Sequence, residues 1–256
     1  MKMRITHISD THNKHKQLNG KLPGGDILIH SGDISSIGRE HEVKDFVKWF
    51  NGIDNYMYKI FIAGNHDTTF HSEVLFRDKS VHFDRKQYFE PPVNEKPQWL
   101  LDILELGLGP NVFYLENSYV EIDGIKIWGS PYTPTFGYGW AFNVDRGYDS
   151  VQIWKQIPHD TDIVITHGPI YGYCDRASNT NQNVGCADLY HRLNELNVQL
   201  HFSGHIHEAY GYAQTKWGYA FNGCTCNLRY EVYNEPITFD YDFISKELEF
   251  VDNEKR

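Results

Sequence analysis

Five short stretches of this 256-residue chain end in side chains that hold metal ions or move protons. They are Asp10-Thr-His12, Ser31-Gly-Asp33, Gly64-Asn-His-Asp67, His167-Gly-Pro169 and Gly204-His-Ile-His207. Carboxylate, imidazole and amide oxygen together make a mixed N/O donor set, which suits Mn, Fe, Co, Ni or Zn better than Ca. One chemistry needs such a set twice over. Hydrolysis of a phosphodiester is slow in water because its anionic centre repels a nucleophile and an alkoxide leaves poorly. Two cations about 3.5–4 Å apart hold phosphoryl oxygens and supply hydroxide at neutral pH. That arrangement needs one shared carboxylate, with imidazoles and a carbonyl oxygen on each side.

Each stretch follows an apolar run. Ile5 to Ser9, Ile27-Leu-Ile29, Ile60-Phe-Ile-Ala63, Ile163-Val-Ile-Thr166 and Leu200-His-Phe-Ser203 read as short buried strands. In open α/β sheets ligands collect beyond the carboxyl ends of strands, so five strand ends are expected to bring these groups to one place. Asp26-Ile-Leu-Ile-His-Ser-Gly-Asp33 is the clearest case. Asp-x-His and His-x-His each arise about once by chance at this composition, whereas Gly-Asn-His-Asp is far rarer. Their order at successive strand ends is the stronger signal.

The remaining elements fit an alternating α/β chain. Val43, Phe46, Val47 and Phe50 predict a helix capped by Ser35 or Ser36 and ended at Gly52. Phe76 to Pro97 reads as a polar surface excursion. Pro97 then opens a helix running to Leu108, closed by Gly107 or Gly109. Val112 to Leu115 is a short strand, and Asp123-Gly124 joins Tyr119–Ile122 to Ile125–Trp128 as a hairpin. Gly129 to Phe142 is too rich in Gly, Pro and aromatics for a regular element. Ser150 to Ile157 and Ala187 to Leu196 are expected helices, separated by a long polar loop from Gly168 to Gly185. Tyr210 to Phe221 and Ile237 to Phe243 read as strands. Two packed mixed β-sheets flanked by α-helices, an α/β fold over residues 1–256 as a single domain, is the expected architecture.

Taken in order, the five motifs resemble the calcineurin-like metallophosphoesterases, from Ile5 to His207. Trp128-Gly-Ser-Pro131, Thr166-His-Gly-Pro169, Val184-Gly-Cys186 and Gly204-His-Ile-His-Glu208 narrow the resemblance to the metallophosphoesterase-domain-containing branch, the 239AB-type phosphodiesterases. The resemblance implies a four-layer αββα sandwich and two divalent transition-metal ions, Mn foremost and Fe, Zn, Co or Ni as alternatives. Carried over residue by residue, it assigns Asp10, His12, Asp33 and His207 to the first metal. Asp33, Asn65, His167 and His205 fall to the second, which makes Asp33 the bridge. It leaves His66 as a general acid or electrostatic stabiliser at the leaving-group oxygen, with Asp67 as its orienting partner. His205 and His207 are two apart, and a bend at Gly204 would let them reach different metals.

Other residues have plainer readings. His7, His30, His159, His191 and His201 are expected to be structural or exposed, His30 being the one of them placed to support Asp33 from behind. Arg176 is a candidate phosphate or base contact, with a solvated loop arginine as the alternative, beside Asn65 and His66 as substrate-binding residues. The aromatics from Tyr132 to Trp140 could wall a base pocket or form a core flap. Cys174, Cys186, Cys224 and Cys226 read as free thiols.

A net charge of −10, from 24 basic against 34 acidic residues, opposes binding of long nucleic acid. It does not oppose a small anion, because two divalent cations dominate the local field. No apolar run approaches the roughly 20 residues needed to cross a bilayer, and strand-forming sequence begins almost at Met1. A cytoplasmic protein without membrane association is expected; oligomeric state is left open. The expected activity is hydrolysis of small phosphodiester or nucleotide-like substrates, with cyclic nucleotides implied by the resemblance. The alternatives are a phosphomonoesterase or protein phosphatase, and a slow-turnover mononucleotide-binding protein.

Overall fold

A computed structural model describes residues 1–71 and 96–251 of the chain. The excursion expected from Phe76 onward lies, up to residue 95, outside the described residues. Two six-stranded mixed sheets face each other. The first contains β1 (Lys2–Ile8), β2 (Gly25–His30), β3 (Tyr56–Phe61) and β4 (Val112–Tyr114), all parallel. It continues on the other side of β1 with antiparallel β15 (Ile237–Asp242) and β16 (Leu248–Phe250).

The second sheet has β6 (Ile125–Ser130), β9 (Ile163–Thr166), β12 (Leu200–Ser203) and β14 (Tyr219–Asn222) parallel. Antiparallel β5 (Ser118–Ile122) and β13 (Gly211–Gln214) border it. Two small ribbons, β7 (Thr133–Pro134) with β8 (Asn143–Val144) and β10 (Arg176–Ala177) with β11 (Gln182–Asn183), lie in the long connections.

The alternation within strands sets the layers. Ile27 and Ile29 point between the sheets, where they join Ile5, Ile60, Ile165, Phe202 and Phe239 in one core. Leu28, between them, points outward to a second core with Val43, Phe46 and Phe50 of helix α1 (Glu40–Asn51) and Leu100 of α2 (Gln98–Asp102). Val164 points out of the second sheet against Trp154 of α3 (Tyr148–Trp154) and Leu189 and Leu193 of α4 (Ala187–Leu196). The result is the expected four-layer sandwich. Each fully buried Phe or Ile contributes about 1.5–3 kcal/mol by leaving water. No helix among the described residues is long and apolar enough to cross a membrane.

Several local expectations need correction. Helix α1 begins at Glu40, beyond Ser35 and Ser36; the Ser35 hydroxyl donates to Asp67 and accepts from Gly38 N at 2.8 Å, so it closes the turn before the helix and not the helix itself. The Glu42 carboxylate instead accepts from the backbone N–H of Arg39 at 3.0 Å, closing the first turn. Gly52 ends the helix as the spacing predicts. Helix α2 passes into a π-helical turn, Ile103–Gly107. Helix α3 starts two residues early, after Gly147 at φ 83°. Tyr210 to Phe221 is a hairpin and not one strand, because the Gly218 amide donates to Thr215 Oγ1 in a tight turn. All four cysteines are free thiols, three of them buried.

Candidate metal centre

The carboxyl ends of β1, β2, β3, β9 and β12 converge, and backbone hydrogen bonds zip the following loops together. Asp10 N donates to Gly32 O at 2.9 Å, and Gly204 N donates to His167 O at 2.9 Å. The two sheets are joined at this end by a bridge between Ser9 and Cys224. Asp10, His12, Asp33 and His205 all have left-handed backbone, at φ 52°, 41°, 56° and 68°. Such conformations cost of order 1–2 kcal/mol for a residue with a Cβ and collect at functional sites.

Among the described residues, three groups bring metal-binding atoms within 4.8 Å of one another: Asp10-His12-His207, Asp10-Asp33-His167 and His12-Asp33-His66. The closest approaches are His12 Nε2 to His207 Nε2 at 3.2 Å and His207 Nε2 to Asp10 Oδ1 at 3.3 Å. His167 Nε2 lies 3.4 Å from Asp33 Oδ2 and 2.8 Å from Asn65 Oδ1. His205 stands beside this set, with its ring 5.0 Å from that of His167 and 4.6 Å from Phe136. His205 lies toward His167, and His207 toward His12 and Asp10. The bend is carried by His205 itself, while Gly204 is needed because a Cβ there would collide with Asp10 Oδ2 and Ser9 Oγ.

The imidazoles are held from behind. His12 Nδ1 donates to Ser35 O at 3.3 Å, His167 Nδ1 to Ser31 O at 3.0 Å and His207 Nδ1 to Asn227 O at 2.9 Å. A carbonyl can only accept, so Nδ1 carries the proton and each Nε2 faces the carboxylates. With Nδ1 so engaged, Nε2 is the nitrogen turned toward a cation, the orientation a metal-binding histidine needs. The donor set therefore fits a pair of divalent cations.

Charge in this centre is balanced between carboxylates and imidazoles. Burial alone would push the Asp10 carboxyl up, but its hydrogen bond to His207 and the nearby histidines hold it well below the usual carboxylate range. Asp33 is likewise depressed, burial being outweighed by His167 and His66. In return, the Asp33 charge overcomes burial at His167 and raises it to about 9. The hydrogen bond to Asp10 does the same for His207, again to about 9. Burial dominates at His12 and His205, lowered to about 4 and about 3.

Asp67 does not orient His66, contrary to expectation. It is completely buried, and its carboxylate accepts from Ser35 N at 2.9 Å, Ile34 N at 3.2 Å and Gly64 N at 2.8 Å, as well as from the Ser35 hydroxyl. It fastens the Asp33 loop to the Asn65 loop. His66 is held instead by Ser36 O, which accepts from its Nδ1 at 2.6 Å. The bonding requirement of a backbone carbonyl leaves no trace in sequence, so no motif pointed to Ser36. His30 accepts from Gly32 N at 3.3 Å and pairs with Thr11 Oγ1 at 2.9 Å, bracing the loops of Asp10 and Asp33 without touching Asp33.

A cleft of about 200 Å³, open to solvent, lies over Asp33, Asn65 and His66. Phe136, Trp140 and Tyr230 wall it, so the aromatics from Tyr132 to Trp140 divide: Phe136 and Trp140 reach the cleft, Tyr132 packs against the core and Tyr138 is exposed. Arg176 is not part of this lining. It is exposed on β10, with Nε donating to Asn181 Oδ1 at 2.9 Å. Tyr230 escaped the sequence reading because its turn, Asn227 to Glu231, contains no Gly or Pro.

The family model for calcineurin-like phosphoesterases matches residues 3–209. Metallophosphoesterase domain-containing protein 1 of Homo sapiens is 37% identical over 241 residues, covering 93% of this chain and 70% of that protein. UPF0046 protein T07D4.2 of Caenorhabditis elegans is 34% identical over 248 residues, covering 93% of this chain and 60% of its own length. The crystal structure of TT1561 from Thermus thermophilus superposes with a TM-score of 0.60 at 11% identity, over 98% of this chain and 99% of that one. Motif order, fold and relatives agree: the chain belongs to the calcineurin-like phosphoesterase family, whose members hydrolyse phosphoric esters at a dinuclear divalent metal centre.

Proposed function

We propose that the chain is a dinuclear metal-dependent phosphodiesterase acting on small nucleotide-like substrates, with cyclic nucleotides as the favoured class. The observation that carries the diester reading is the cleft itself. Its walls are Phe136, Trp140, Leu228 and Tyr230, and among the described residues its lining holds no Lys or Arg. A phosphomonoester dianion would gain from such cations, whereas a diester monoanion with a flat substituent gains from apolar walls.

In this reading Asp10, His12, Asp33 and His207 hold one cation, and Asp33, Asn65, His167 and His205 the other. The cations supply Lewis acidity and lower the pKa of water. Manganese is the proposed metal. Ser36 fixes His66 through Nδ1, leaving Nε2 to hold a proton at the departing oxygen. Water adds its oxygen to phosphorus and gives up a proton to solvent, to which the cleft is open. The P–O bond to the leaving group breaks, and that oxygen keeps the electron pair and takes the proton from His66.

The test compares kcat/KM for phosphodiesters, cyclic nucleotides and matched phosphomonoesters with Mn²⁺ present. The expected result is a preference for diesters of at least about tenfold. A preference for monoesters would make the protein a phosphatase, and tight mononucleotide binding without turnover would make it a binding module.

A further inference from the structure

The two aromatic walls converge on the residue that would serve the leaving group. The ring of Trp140 lies 4.4 Å from that of His66, and the ring of Tyr230 lies 6.0 Å from it. Each is fixed by its own device. Asn143 pins the Trp140 turn, with Nδ2 donating to Trp140 O at 3.0 Å and Oδ1 accepting from Phe136 N at 3.1 Å. Ala141 N then donates to Asn65 O at 3.0 Å, tying this turn to the loop that carries His66.

Tyr230 sits at φ 58°, a genuine outlier for a bulky side chain. Asn or Gly would make the same turn without strain, so the backbone cost maintains an aromatic ring at this place. That ring packs edge-on against His12 at 4.8 Å and His207 at 5.4 Å, yet 42% of the residue stays exposed. The same turn supplies the Asn227 carbonyl that holds His207, so wall and centre are positioned together.

We propose that Trp140 and Tyr230 form a leaving-group subsite that selects a flat, apolar substituent on the departing oxygen. This rests on the phosphodiesterase reading with His66 at the leaving group: whatever accepts its proton must lie beside these two rings. The rings act by their faces, and the Tyr230 hydroxyl is not required.

The experiment uses two diesters with the same retained methyl group. One has an aromatic leaving group (methyl p-nitrophenyl phosphate), and the other has a compact fluoroalkyl one (methyl hexafluoroisopropyl phosphate). Tyr230→Ala and Trp140→Ala should each lower kcat/KM about tenfold on the aryl diester, the range expected for loss of one stacked ring. The loss on the fluoroalkyl diester should be at most about threefold, with bound metal unchanged. Tyr230→Phe should restore the aryl activity. Equal losses on both diesters, loss of metal, or failure of Tyr230→Phe to rescue would overturn the subsite. Wild-type protein inert toward both diesters would instead remove the phosphodiesterase reading beneath it.

Discussion

The backbone of Gly204 runs directly against the carboxylate of Asp10. A Cβ at Gly204 would collide with Asp10 Oδ2, and the next amide, His205 N, donates to both Asp10 oxygens at 3.0 and 3.1 Å. Asp10 thus receives an amide from the second sheet, while its own backbone follows a strand of the first. One contact aligns the two halves of the metal centre.

Gly204→Ala should therefore displace Asp10 without exposing any core residue. Overpacking of this kind costs about 1–3 kcal/mol of stability. Activity should fall further, by about 10²-fold, since a 1 Å misplacement of a catalytic group costs that much. Thermal melts and kinetics on the same preparation would check it. Wild-type kinetics in Gly204→Ala would show that the contact does not set the position of Asp10.

Metal binding should release protons in a defined pH window. His167 and His207 are raised to about 9, so both are protonated at pH 7, and the proton on each Nε2 lies where a cation would bind. Filling the centre at pH 7 should displace both, and affinity should rise with pH until it levels off above about 9. Calorimetry in buffers of different ionisation enthalpy measures this release. The same proton release at pH 10 as at pH 7 would contradict the charge balance described for the centre.

His66→Ala should lose about 10²–10⁴-fold on a nucleotide diester, whose leaving group is a basic alkoxide. The loss should be distinctly smaller on an aryl diester, because p-nitrophenolate departs without a proton. Kinetics on both substrates decide it. Equal losses would make His66 an electrostatic or positioning group.

Much of the site was legible in sequence because strand ends are. An apolar run followed by Gly and a carboxylate fixes what emerges beyond the sheet, and Asp33, Asn65, His167 and His207 are brought together there. Helix α4 and strand β12 keep their expected bounds, since Leu189 and Leu193 and the run from Leu200 carry strong periodic signals. Orientation was not legible. Asp67 next to His66 suggests a pair, but the geometry after β3 turns its carboxylate toward Ser35 and Gly64. Arg176 adjoins a motif in sequence, yet the ribbon of β10 and β11 carries it away from the cleft. Tyr230 depends on a strained turn without Gly or Pro, which no local propensity announces.

The most direct test of the dinuclear centre is a titration of metal-stripped protein with Mn²⁺, followed by bound metal per chain and diester hydrolysis together. Activity should be absent in the stripped protein and return as the second equivalent binds, with Mg²⁺ inferior because imidazole ligands suit it poorly. Full activity without metal, or saturation at a single equivalent, would contradict a two-metal site bridged by Asp33.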